Sequence, residues 1–102
     1  MQETIVFGGG GFWRAEAVFL MIKGVQLVEL GYIDSPKAEV LKIEYDPDIV
    51  AFEELLQVFF KSHDPAAIFC TTERQEKRAQ HYIKVLKLST KVEMLEEKFT
   101  EK

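Results

Sequence analysis

Cysteine is nearly absent from this 102-residue chain. The one present, Cys70, excludes an internal disulfide and any paired-cysteine redox or zinc motif. An excess of basic residues is also lacking. Thirteen Lys and Arg stand against 17 Asp and Glu, for a net charge of −4 and an isoelectric point near 5.2. That balance argues against nucleic acid or an anionic membrane as partner. No apolar run reaches the roughly 18 residues of a membrane span, and no signal-peptide pattern opens the chain. Internal repeats and low-complexity stretches are missing too. What remains is 47% apolar and 29% charged residues, the make-up of an ordinary folded domain. The length suits a single domain over 1–102, and a cytoplasmic location is the expectation.

Glycine is concentrated. Four of the six form the run Gly8-Gly9-Gly10-Gly11, followed by Phe12-Trp13. Thr4 to Phe7 before it is a short apolar run, read as a strand. After it, Phe12 to Lys23 has helical period, with Ala15, Val18, Phe19 and Ile22 on one stripe. The whole stretch is strand, sharp turn, aromatics and helix. Helix starts leave N–H groups free to meet a ligand, so Gly8–Gly11 reads either as an anion cradle or, more simply, as a tight turn.

Gly24 ends the first helix. A second strand is expected over Val25 to Tyr32, a turn over 33–37, and a third strand over Ala38 to Tyr45. A second helix spans Phe52 to Ser62, with Phe52, Leu55, Leu56 and Phe59 buried, and with Ala51 as a poor N-cap. His63-Asp64-Pro65 stops it, and a fourth strand covers Ala67 to Thr71. From Thr72 a helical segment is expected to reach residue 100. Ala79, Ile83 and Leu86 form its first stripe; Leu88, Val92, Leu95 and Phe99 continue an apolar seam, with Ser89-Thr90 able to bend or break it.

The order β-α-β-β-α-β predicts an α+β, ferredoxin-like core over residues 4–71. Its antiparallel sheet should run 4-1-3-2, with helices on one face and the extra C-terminal helix over 72–100. In that topology the Gly8–Gly11 turn, the 32–38 turn and the 63–67 turn meet at one edge. Alternation puts Glu39 on the face of Leu41, Ile43 and Tyr45, at the start of its strand beside Gly11, Phe12 and Trp13. An inward carboxylate there suits a proton donor; a solvated edge position is the plainer alternative.

Several motifs resemble peptide methionine sulfoxide reductase A. They are Phe7-Gly-Gly-Gly-Gly-Phe-Trp with Glu16-Ala-Val-Phe19, Gly31-Tyr32, Ala38-Glu-Val40, Tyr45-Asp-Pro47, Val58-Phe-Phe60 and His63-Asp-Pro65, in order from about residue 4 to about 80. The resemblance implies a sheet-and-helix fold with a ferredoxin-like core. It also implies a reaction in which a cysteine thiolate attacks the sulfur of methionine S-sulfoxide while a glutamic acid protonates its oxygen. The resulting sulfenic acid is resolved by a thiol and thioredoxin. The nucleophile's position is Gly11 here, which has no side chain. Phe12 and Trp13 match the residues that hold the substrate methyl group, and Glu39 matches the proton donor, left as a vestige. The preceding Gly-His of the family is Pro36-Lys37. Segments carrying two further tyrosines and an aspartate are reduced to Ile33–Lys37 and Ala66-Ala67.

The implied function is a methionine sulfoxide reductase-like pseudoenzyme serving as a binding or assembly module. The alternative is residual peptide-methionine (S)-S-oxide reductase activity, with Cys70 or an external thiol as reductant. A third option is binding of a methionine or methionine sulfoxide side chain without reaction. No cofactor and no metal is expected, since His63, Asp64 and Glu39 lack ligand spacing. Cys70 in a strand reads as a small buried hydrophobe, and His81 as a solvated helix residue. Leu20 and Met21, with the 88–99 seam, offer apolar surface for a homodimer.

Overall fold

The computed structural model describes residues 2–8, 15–34, 37–62, 67–88, 90–95 and 100–101. Its elements are β1 (Glu3–Gly8), α1 (Ala15–Leu20), β2 (Val25–Asp34), β3 (Lys37–Tyr45), α2 (Phe52–Ser62), β4 (Ala67–Cys70), α3 (Glu73–Leu86), β5 (Lys91–Met94) and β6 (Thr100–Glu101). They form a mixed α+β fold around one six-stranded sheet in the order β5-β4-β1-β3-β2-β6.

Apolar residues at helical spacing on α2, Phe52, Leu55, Leu56 and Phe59, are all buried. They lie over one face of the sheet with Ile5, Phe7, Leu41, Ile43 and Tyr45, and Phe19 of α1 and Ala79 of α3 join the same cluster. The helices therefore cover one face. Phe7, Phe19 and Phe59 form a ring cluster, with centroids 4.1 Å apart for Phe7–Phe59 and 6.0 Å for Phe7–Phe19. It ties the end of β1 to both helices. The opposite face carries a smaller core of Val6, Val40 and Phe69, with Ala67 and Leu95 against it.

Three expectations fail. First, the segment after Thr72 is not helical to residue 100. α3 ends at Leu86, because Lys87 turns left-handed at φ 54° and ψ 46° and its N–H bonds the carbonyls of Ile83 and Lys84. Leu88 N–H then reaches the Ile83 carbonyl at 3.0 Å, closing the helix end. Second, the sheet is not wholly antiparallel: β5 runs parallel to β4, pairing Ala67 with Lys91 through Cys70 with Met94. Third, the 88–99 seam is not free surface. Val92 and Met94 pack on the helix-side core and Leu95 on the opposite one; Phe99 lies outside the described residues. Two stripe positions also fail, since Val18 and Leu86 are 41% and 51% exposed. Within 72–88 Ala79 is buried as expected, and the second buried position is Gln75.

Candidate functional site

The pairing register brings three chain segments together. Gly8, the last residue of β1, pairs with Val40 of β3 on one side and with Ala67, the first residue of β4, on the other. Hence β1 ends and β4 begins at the same row of the sheet. The β2–β3 hairpin extends past that row by three further pairs, Tyr32 with Glu39, Ile33 with Ala38 and Asp34 with Lys37. At about 3.3 Å per residue it overhangs by about 10 Å.

Glu39 stands at the base of this overhang, one residue from Val40. Strand alternation puts it on the helix-side face with the buried Leu41, Ile43 and Tyr45, and it is half-buried itself. The carboxylate faces the side of the sheet from which α1 and α2 rise, at the end where β1 stops. Its neighbour across the strand pair is Tyr32, also half-buried. Pattern reading of single strands misses this pairing, since only the register reveals it. Gly11, Phe12 and Trp13, the other expected site residues, lie outside the described residues, as do His63 and Asp64.

Gly8 is glycine for a packing reason. A Cβ there would sit 2.9 Å from the Phe69 ring of the neighbouring strand, so a side chain would force that ring to move. This explains one of the four glycines without any ligand.

Cys70 is fully buried in β4. Burial, with a smaller contribution from the Glu76 charge, pushes its thiol up to about 12, which leaves almost no thiolate at neutral pH. Its neighbours along the sheet are Ile5 and Met94, four rows of backbone away from Glu39. His81 is exposed on α3.

At the other end of the sheet lies a polar cluster that apolar patterning does not reveal. Gln75 is 1% exposed. Its Nε2 donates to the Thr4 carbonyl and the Tyr45 hydroxyl, each at 2.9 Å, and its Oε1 accepts from the Thr71 N–H at 2.8 Å. Thr72 caps α3 by accepting from the Gln75 N–H. Burial pushes the Tyr45 phenol up to about 12. These bonds anchor α3 to β1 and β3; the cluster sits some five residues from Gly8, about 17 Å along β1, so it belongs to the scaffold. Arg78 makes a forked ion pair with Glu53, Nε to Oε2 at 2.6 Å, joining α3 to α2. Among the described residues no group of three His, Cys, Asp or Glu could hold a metal ion, and no helix is long and apolar enough to cross a membrane.

A family model for peptide methionine sulfoxide reductase matches residues 3–38 and 34–67, the part of the chain that builds this edge. The peptide methionine sulfoxide reductase MsrA of Acinetobacter baumannii (strain AYE) is 36% identical over 117 residues, covering 85% of this chain and 67% of that relative. The chain belongs to the peptide methionine sulfoxide reductase family. Its fold agrees: Mxr1 of Saccharomyces cerevisiae in an unusual oxidized form superposes with a TM-score of 0.80 at 21% identity, over 98% of this chain and 76% of that one. Mxr1 in complex with Trx2 superposes with a TM-score of 0.70 at 22% identity, over 97% and 79%. The match to the Acinetobacter protein is longer than this chain itself, 117 residues against 102. That relative therefore carries residues, inside the matched stretch, that the present family member lacks.

Proposed function

We propose that this family member keeps the reductase scaffold and has lost the reaction, so that it acts as a binding or assembly module. The observation that carries this reading is Gly11, which stands where the family's nucleophilic cysteine is expected. A glycine offers no sulfur to attack a sulfoxide and none to carry away its oxygen as a sulfenic acid. Without a sulfenic acid, a thioredoxin-type reductant has nothing to resolve.

Two further observations support it. The relative's longer match agrees with the short segments Ile33–Lys37 and Ala66-Ala67, which flank the Gly8–Val40–Ala67 row. The position of Glu39 in β3, beside the end of β1 and on the face of Leu41 and Ile43, supports reading it as the vestigial proton donor. Together with Phe12 and Trp13 it would form a half-pocket for a methionine or methionine sulfoxide side chain, binding without turnover. At the level of fold, the β4-β1-β3-β2 order with α1 and α2 on one face supports reading the core as ferredoxin-like.

The alternative, a residual reductase, would need an external thiol beside Glu39. Cys70 does not serve, being buried in β4 with its thiol pushed up to about 12. A dimer through Leu20 and Met21 keeps only part of its expected surface, since Val92, Met94 and Leu95 are packed within the chain.

The deciding assay measures reduction of a methionine S-sulfoxide peptide by dithiothreitol, on this chain and on Gly11→Cys. Neither should turn over, because a restored thiol would still lack the groups of the two short segments. Turnover by Gly11→Cys would show that the nucleophile is the only loss. Turnover by the unaltered chain, abolished in Glu39→Gln, would establish the alternative.

A further inference from the structure

We infer that the outward face of α3 is a docking surface for an acidic helical segment of a partner protein. The segment would lie along the stripe Arg74, Lys77, His81 and Lys84 and meet Val85 and Leu86 at one end. α3 packs on α2, β4 and β5, so this surface does not depend on the fate of the Glu39 site.

Charge is unevenly spread along the chain. Between residues 73 and 91 six Lys and Arg stand against two Glu. The remaining residues hold seven basic against 15 acidic side chains. A local charge of +4 is thus carried by a chain of net −4. Along α3 the basic positions are ordered. Arg74, Lys77, His81 and Lys84 follow one another at spacings of three, four and three, which is one face of a helix. All four are exposed, on the side away from the buried Gln75 and Ala79.

The stripe has no internal use that the structure shows. Arg78 is engaged, in its forked pair with Glu53. Arg74, Lys77 and Lys84, by contrast, form no ion pair with any described residue. Like charges three or four residues apart lower the stability of a helix. Arg74 also sits in the first turn, where the helix dipole disfavours a cation. Both effects work against the fold, so the pattern is accounted for by what it faces.

The geometry and the charge select the occupant. Acids spaced at three and four on a second helix would lie opposite the stripe turn by turn. At its C-terminal end the face becomes apolar, with Val85 and Leu86 at 61% and 51% exposure. Beside it Phe60 of α2 stacks on Tyr82, centroids 5.7 Å apart and both half-buried. The segment is therefore acidic along its length and apolar at one end. A short segment on α3 senses the local charge, because salt screens beyond about 8 Å. Nucleic acid or an anionic membrane would also meet the acidic remainder of the chain. A second copy set symmetrically on the same face would bring two basic stripes together. With 14 residues, α3 is about 21 Å long, which suits a transient partner more than a permanent one.

The test uses the full chain and a blocked, alanine-based peptide of about 15 residues, roughly 22 Å as a helix. Its glutamates are spaced at three and four, and two leucines stand at one end. In an NMR titration the amides of 74–86 should shift. Binding should weaken by about tenfold as salt rises from about 50 to about 300 mM. The same peptide with glutamine for glutamate should bind at least about tenfold more weakly. Lys77→Glu with Lys84→Glu, its fold checked by a melting curve, should weaken binding by about tenfold. Lys77→Arg with Lys84→Arg should bind within about twofold of the unaltered chain. Equal binding of the glutamine peptide, or shifts confined to residues outside α3, would overturn the inference. So would tighter binding of a duplex DNA oligonucleotide or of phosphatidylserine vesicles than of the peptide at the same salt. Shifts at 74–86 that grow with protein concentration and exclude the peptide would overturn it too, since the face would then belong to a second copy. Sulfoxide turnover by Gly11→Cys is read separately, so either proposal can fail while the other stands.

Discussion

Gly24 is held by two requirements at once. Its φ of +101° lies where residues with a Cβ are strained, and a Cβ there would sit 2.9 Å from side-chain carbons of both Ile49 and Val50. Its carbonyl also accepts from the Asp46 N–H at 2.8 Å, so the turn cannot swing away without losing a bond. Gly24→Ala should lower stability by about 2–3 kcal/mol, from strain and overpacking together, as read by urea unfolding. A cost below about 0.5 kcal/mol would mean that the turn relaxes freely. Two buried acids make a second prediction at this scale. Burial raises Cys70 from 9.0 to about 12 and Tyr45 from 10.0 to about 12. Both are essentially neutral in the folded and unfolded chain below about pH 8, so neither affects stability there. Above that, the unfolded chain ionises first Cys70 and then Tyr45 while the folded chain resists, and stability falls as pH rises from about 8 to about 12. Cys70→Ser and Tyr45→Phe should each flatten that fall. The Cys70 thiol should also resist alkylation at pH 8 until the chain is unfolded.

Among the elements, α3 stops where a residue with a side chain adopts the left-handed conformation that glycine usually supplies. Lys87 at φ 54° costs about 1 kcal/mol relative to glycine, so Lys87→Gly should stabilise the protein by about 0.5–1 kcal/mol and raise its melting temperature. A loss of stability would show that the lysine side chain contributes something the geometry does not reveal. The same helix end explains what the sequence could and could not disclose. α2 was legible to the residue, because Phe52, Leu55, Leu56 and Phe59 repeat at helical spacing with no competing pattern. Beyond Leu86, the residues Leu88, Val92, Leu95 and Phe99 also fit a helix, while Val92 and Met94 fit a strand. Local pattern does not choose between them. The choice is made by β4, more than twenty residues earlier, whose free edge pairs with β5. At the candidate site, alternation correctly put Glu39 on the side of Leu41 and Ile43, since that needs only the period of one strand. Tyr32 beside it, and Gln75 beneath Tyr45, depend on register and tertiary contact, and polar residues carry no periodic signal of burial.

For the whole molecule, the consequence of β5 and β6 is that the last part of the chain is structural and not an appendage. Only residues 95–99 separate the two strands in sequence, yet they occupy opposite edges of the sheet. β5 shields the edge of β4, and the Leu95 N–H bonds the Cys70 carbonyl at 2.8 Å. Val92 and Met94 close one core, while Leu95 closes the other, over Val6, Val40 and Phe69. A free-standing C-terminal helix could be cut away with little cost to a 4–71 core. The observed arrangement predicts the opposite. Ending the chain at Leu88 would expose the edge of β4 and remove three partly buried apolar side chains, at about 1–2 kcal/mol each. Against a total stability of about 5–15 kcal/mol, that loss of about 3–6 kcal/mol should leave the shortened chain partly unfolded at 37 °C and prone to aggregate through its bared edge. Circular dichroism melts of the 1–88 chain beside the full protein give the answer. A shortened chain melting within a few degrees of the full one would mean that β5 and Leu95 rest on a core that is already complete without them.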